Sequence, residues 1–151
     1  MSYLNGDFPE IDLKTDASKV IAVLSALDGV VSDLSASAGL SEGFCHLLRL
    51  RASLINGCAY CIVLHTEKAE STGESRKRIA LVAAPNRADC FSKFELSALQ
   101  LIEAATCLKS PLEPINSSLP NDVRAAVTWT AILINAWNRY SIFSAKKLNH
   151  D

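Results

Sequence analysis

The chain has 151 residues, 49% of them hydrophobic but only 7% aromatic, and carries a formal net charge of −1. That is one domain's worth of chain, long enough to bury a core. The near-zero charge gives no electrostatic footprint for nucleic acid or an anionic membrane surface. The apolar share lies in Ala, Leu, Ile and Val, and few stretches alternate as a strand should, so the expected class is all-α.

The opening MSYLNGDFPEIDLK has neither a basic segment nor an apolar one of signal type. It reads as an irregular arm over residues 1–15, broken by Gly6 and Pro9. Asp16 is the expected N-cap of a first helix. Val20, Val23, Leu24, Leu27, Val30, Val31 and Leu34 follow at steps of three and four, an apolar stripe of about five turns. A second helix starts at Ser41-Glu42 and carries Phe44, Leu47, Leu48, Leu50, Leu54 and Ile55. Its interleaved Arg49 and Arg51 are expected to be solvated or to pair with acids across a subunit boundary. Gly57 closes it, and a third helix runs from Cys58 to about Thr72.

A short helix is expected over 74–84, stopped by Pro85, with Arg76, Lys77 and Arg78 as a solvated face. A loop follows over 86–91. Ser92 and Glu95 have capping-box spacing ahead of a helix with Leu96, Leu99, Ile102, Ala105 and Cys107. Residues 109–121 hold three prolines and read as a linker. The last helix, 121–146, is apolar nearly all round at Trp129–Tyr140, as a helix buried on two sides would be. In a chain this small the second side is expected to be another subunit, with Trp129 and Trp137 in core or interface. The longest nearly apolar run, Trp129–Trp137, is too short to span a bilayer. The expectation is therefore six helices in one domain over 16–148, soluble and cytoplasmic.

Five cysteines are an odd number for a reducing compartment, which argues against a disulfide framework. Cys58 and Cys61 need separate treatment. Asn56-Gly57 can close one helix and let another start at once, placing Cys58 at a helix N-terminus and Cys61 in the first turn. Unpaired N–H groups there favour a thiolate. Cys58, Cys61 and His65 then share one helix face. A dithiol at a helix start, with an imidazole one turn on, is a pattern for redox chemistry. Cys45, Cys90 and Cys107 read as small structural hydrophobes, although Cys45 adjoins His46. Tyr60 reads as packing or a subunit contact.

The segment LRLRASLINGCAYCIVLHTEKA at 48–69 resembles the core motif of the alkylhydroperoxidase D / carboxymuconolactone decarboxylase superfamily, in its Cys-x-x-Cys branch. AILINAWNR at 131–139 is similar to that family's last helix. The resemblance covers about 16–144. It implies an alkylhydroperoxidase D-like helical fold, a homotrimer or homohexamer, and no cofactor. The implied activity is that of a thiol peroxidase or disulfide reductase. By the same resemblance Cys61 is peroxidatic, Cys58 resolving and His65 part of a proton relay. The implied partners are a hydroperoxide or disulfide substrate and a dithiol donor, either lipoyl-bearing or thioredoxin-like. The decarboxylase branch is disfavoured, because the resemblance there does not include the cysteine pair. Twelve residues before the first cysteine, where the family has a glutamate, stands His46. An imidazole can act as a base but supplies no negative charge. Val63 and the short 111–120 segment are further departures. Two alternatives follow from His46: a Cys₂His₂ zinc site of Cys58, Cys61, His65 and His46, or a catalytically silent helical oligomer.

Overall fold

In a computed structural model, which describes residue 13 and residues 17–109 and 118–144, the described chain is built from α-helices and turns, with no strand. The helices are α1 (Ser18–Ser37), α2 (Glu42–Asn56), α3 (Ala59–Ser71), α4 (Arg76–Leu81), α5 (Lys93–Thr106) and α6 (Asn121–Phe143). A 3₁₀ turn at Pro85–Arg87 precedes α5. The six-helix, all-α expectation is met. Apart from residue 13, the arm over 1–15 lies outside the described residues, as do the Asp16 cap, positions 110–117 of the 109–121 linker and the end beyond 144.

α2 is the central element. It packs against α3, α5 and α6, while α1 lies over α6 and α3 also touches α6. Leu47, Leu48, Leu50, Leu99, Ile102, Val127 and Ile134 fill the core between α2, α5 and α6. Burying side chains of this size is worth about 1.5–3 kcal/mol each. Start signals hold where a hydroxyl meets a free amide. Ser41 caps α2 by accepting from the Phe44 amide, and Ser92 and Glu95 form the reciprocal capping box of α5.

α4 is shorter than the pattern suggested. Ser75 caps it, and it ends at Leu81, before Pro85. Arg51 Nη1 takes the Ala83 carbonyl at 2.6 Å, which fixes the chain as it turns away. The basic run is not one solvated face. Arg78 is largely covered, bonded to Glu74 at 2.7 Å, Glu95 at 2.5 Å and the Cys90 carbonyl at 2.6 Å, with Phe91 beneath. Arg76 and Lys77 do lie exposed. Arg51 pairs with Glu103 at 2.6 Å within the same chain.

α1 departs most from expectation. Of its apolar stripe only Val31 is buried, and Val20, Val23 and Val30 are 64–70% exposed. On α6, Trp129, Ile132, Ile142 and Phe143 are also exposed. Among the described residues, Ser18–Ser37 is the helix long and apolar enough to cross a membrane by length and composition, with a mean hydropathy of 1.5. It is nevertheless tied into the fold by polar contacts. Asp28 pairs with Arg49, and Ser35 hydrogen-bonds Thr130 of α6.

Candidate active site

The α2–α3 junction sets the cysteine pair. Gly57 has φ +67°, the left-handed region that glycine enters at no steric cost. Its N–H bonds the Leu54 carbonyl and the Cys58 N–H bonds the Ser53 carbonyl, the paired bonds of a Schellman ending. Cys58 is at once the residue past that ending and the N-cap of α3, so its backbone is held from both sides. Asn56 fastens the turn to α6: its Nδ2 donates to the side-chain oxygens of Asn135 and Asn138, both at 2.9 Å. Asn138 returns a bond to Ser53 at 3.0 Å. The last-helix segment at 131–139 thus holds the cysteine-bearing turn in place.

Cys58 and Cys61 are both buried free thiols. The Cys61 thiol donates to Ser141 Oγ at 3.6 Å, and the Ser141 hydroxyl also reaches Cys58. Burial, with a hydrogen bond to the Cys61 side chain, pushes the Cys58 thiol up to about 11. The Cys61 amide and Ser141 favour a Cys58 thiolate but do not offset the loss of water. Position at a helix start, the expected source of a Cys58 thiolate, is therefore outweighed, and Cys58 stays protonated at neutral pH. Cys61 lines a cavity. That cavity, of about 220 Å³, is also lined by His65, Tyr60, Trp137, Ser141 and Arg49.

His65 and His46 are both buried, and their Nδ1 atoms lie 3.3 Å apart. Burial, then the Arg49 guanidinium, hold His65 down at about 3, and the same two causes lower His46. Both rings are thus neutral at pH 7. His65 therefore offers Cys61 no positive charge and remains available as an acceptor. Arg49 Nη2 lies 2.8 Å from Asp28 Oδ1 and donates to Ser32 Oγ at 3.3 Å. Neither Asp28 Oδ1 nor Arg49 Nε has an aligned hydrogen-bond partner, so the pair is a charge contact and not a bidentate fork. Arg49 is buried and pairs with Asp28 within the chain, so it is not solvated.

A second cavity, of about 340 Å³, adjoins the first. It is lined by His46, Cys45 and Glu42, and shares Asp28, Arg49 and Lys68 with the first. Of the four residues singled out from sequence, Cys58 lies beside Cys61, His46 lies beside His65, and Cys61 and His65 line one cavity. Cys45 lies beside them at the second cavity, Cys90 is half-buried and Cys107 is exposed, so Cys107 is not a buried hydrophobe. Among the described residues no group of three His, Cys, Asp or Glu side chains could hold a metal ion, which leaves the zinc alternative without support. Sequence reading missed Ser141 and Trp137 as cavity residues. Their only signal was the polar and aromatic side chains interrupting an apolar last helix.

The chain can now be set beside known proteins. A solved structure of a protein of unknown function from Agrobacterium tumefaciens, described as a candidate antioxidant defence protein AhpD, superposes with a TM-score of 0.83. It is 23% identical and covers 95% of this chain and 100% of its own. The uncharacterised protein YdfG of Bacillus subtilis is 34% identical over 102 residues, 64% of this chain and 69% of that one. Residues 22–104 match the model of the carboxymuconolactone decarboxylase family. The chain belongs to that family and has the alkylhydroperoxidase D-like helical fold.

Proposed function

We propose that this protein is a thiol-dependent antioxidant reductase of hydroperoxides or disulfides, working through Cys61 and Cys58. The observation that carries this reading is the asymmetry of the pair: Cys61 lines a cavity with His65, while Cys58 is sealed beside it and keeps its proton. Cys61 gives its proton to His65 and attacks the outer oxygen of a hydroperoxide. The O–O bond breaks, the alcohol leaves with a proton, and Cys61 becomes a sulfenic acid. The Cys58 sulfur then attacks that of Cys61, water leaves, and a disulfide forms. An external dithiol restores both thiols by exchange and is itself oxidised to a disulfide. The family resemblance suggests a lipoyl-bearing or thioredoxin-like donor, and no cofactor enters any step. The antioxidant description of the structurally similar Agrobacterium protein agrees with this reading. Decarboxylation, the activity in the family's name, gives no role to a cysteine pair.

The exposed apolar side chains of α1 and α6 support self-association, as a homotrimer or homohexamer of a soluble cytoplasmic protein. Light scattering tests this, and a monodisperse species of 16.3 kDa would refute it. The chemistry is tested by reducing the protein, removing metal, adding one equivalent of an organic hydroperoxide and mapping disulfides by peptide mass. The expected product within seconds is Cys58–Cys61, with Cys45, Cys90 and Cys107 free. Slow, unselective oxidation would overturn the reading and leave a catalytically silent scaffold.

A further inference from the structure

Three features converge on the histidine pair. The rings meet through like atoms, Nδ1 to Nδ1 at 3.3 Å, so one must donate and the other accept. They line two neighbouring cavities, His65 the one with Cys61 and His46 the other. Finally, at the second cavity, His46 Nε2 faces Glu42 Oε1 at 3.8 Å, one turn back on α2, and the Glu42 side chain is 76% exposed.

We propose that Glu42 is a positioning residue that sets both histidine tautomers, making the pair a reversible proton wire between the Cys61 cavity and the second cavity. This rests on the reading of Cys61 as the attacking thiol. At 3.8 Å the Glu42 carboxylate lies beyond direct hydrogen-bond reach and acts by its charge, favouring the proton on His46 Nε2 and leaving His46 Nδ1 bare. His65 must then donate its Nδ1 proton to His46. Its Nε2 becomes the free acceptor, on a ring that lines the Cys61 cavity.

The charges around the rings require this kind of transfer. Arg49 and Lys68 face both histidines, and Glu42 and Asp28 face His46. Beside Arg49 and Lys68, with little water, an imidazolium is disfavoured on either ring, so the proton cannot rest there. It passes instead by exchange of neutral tautomers. The thiol proton goes to His65 Nε2, the His65 Nδ1 proton to His46 Nδ1, and the His46 Nε2 proton to water at the second cavity. When the O–O bond breaks, the chain runs backwards and delivers one proton to the leaving alkoxide. Protons therefore balance over the step. His46 in place of a glutamate thus extends the path by one ring, with the carboxylate moved one turn outward.

The test is long-range ¹⁵N–¹H correlation spectroscopy on the reduced, ¹⁵N-labelled full chain at pH 7.5, which reads each ring's tautomer with no peroxide present. The expected result is Nε2–H on His46 and Nδ1–H on His65. Glu42→Gln should turn both rings into tautomer mixtures and slow hydroperoxide reduction roughly tenfold in kcat at unchanged KM, within the range of lost acid–base assistance. Glu42→Asp should restore part of both. The opposite tautomers in the native chain, or unchanged tautomers and rate in Glu42→Gln, would overturn the proposal. The spectra stand even if the protein reduces no hydroperoxide, so failure of the wire and failure of the proposed activity are distinguishable.

Discussion

Acid should destabilise this protein through His65 as pH falls below 6.5. Burial and Arg49 hold the imidazole at about 3, against 6.5 for a free ring. The unfolded chain takes up that proton first as pH falls. Stability from keeping the ring neutral is therefore complete above pH 6.5 and is lost as pH falls toward 3. One proton of difference gives a slope of about 1.4 kcal/mol per pH unit and a full effect of about 5 kcal/mol. Between pH 7.5 and 5.0 the loss is about 2 kcal/mol, because the slope acts only over the last one and a half units.

The window excludes the acids. Hydrogen bonds from Arg78 and Ser92 hold Glu95 low against the opposing effect of burial, and Lys77 holds Asp89 low. Their contributions therefore fade only below about pH 4.5. His46 is lowered too and acts in the same direction, but it remains when His65 is replaced. The assay is equilibrium urea unfolding of the reduced protein at pH 7.5 and 5.0, at fixed protomer concentration, for the native chain and His65→Gln. The native chain should lose about 2 kcal/mol more than the variant over this interval. Equal losses would mean that His65 is not held neutral by the fold, and the reasoning about both histidines would fail with it.

Other residues give independent checks. Arg49→Met removes the second cause of the His65 shift and strands Asp28. The His65 titration midpoint, followed by NMR, should rise, and stability should drop by about 1–3 kcal/mol; an unmoved midpoint would refute the electrostatic account. Ser141→Ala removes the hydroxyl that touches both sulfurs and should slow peroxide oxidation of Cys61 about tenfold, while the disulfide remains Cys58–Cys61. Gly57→Ala meets no atom within 4 Å, so only the left-handed backbone resists it; urea unfolding should report a loss of about 1–2 kcal/mol.

What the sequence made legible follows from distance along the chain. Cys58, Cys61 and His65 belong to one helix, so period 3.6 alone places them together. The Asn56-Gly57 ending and the Ser92–Glu95 box are local hydrogen-bond chemistry and appear as written. Ser141 reaches Cys61 across 80 residues, and nothing near either position announces the contact. Arg49 and Arg78 looked solvated because their acids, Asp28 and Glu95, lie on other elements or further along the chain. α1 shows the limit of periodicity most clearly. Seven apolar positions at helical steps establish a helix. They do not say which stripe faces the core, and here polar Asp28 and Ser35 make inward contacts beside Val31 while Val20, Val23 and Val30 face out.

The cysteine motif itself shows why local reading under-determines chemistry. At a bare helix start Cys58 would be the more ionised thiol, since its sulfur lies nearest the unpaired amides. The Asn56–Asn135–Asn138 bonds instead draw that turn onto α6, and water is excluded from it. Desolvation then exceeds the pull of the amides, and Cys58 keeps its proton. Cys61, one turn on, keeps access to a cavity. The same α6 that supplies Ser141 thus decides which sulfur meets a substrate. Loosening α6 should therefore even out the two thiols before it unfolds the domain. Asn138→Ala gives the check: alkylation of the reduced protein, slow at Cys58 in the native chain, should speed up there more than at Cys61. Unchanged selectivity would show that the α2–α3 turn needs no help from the last helix.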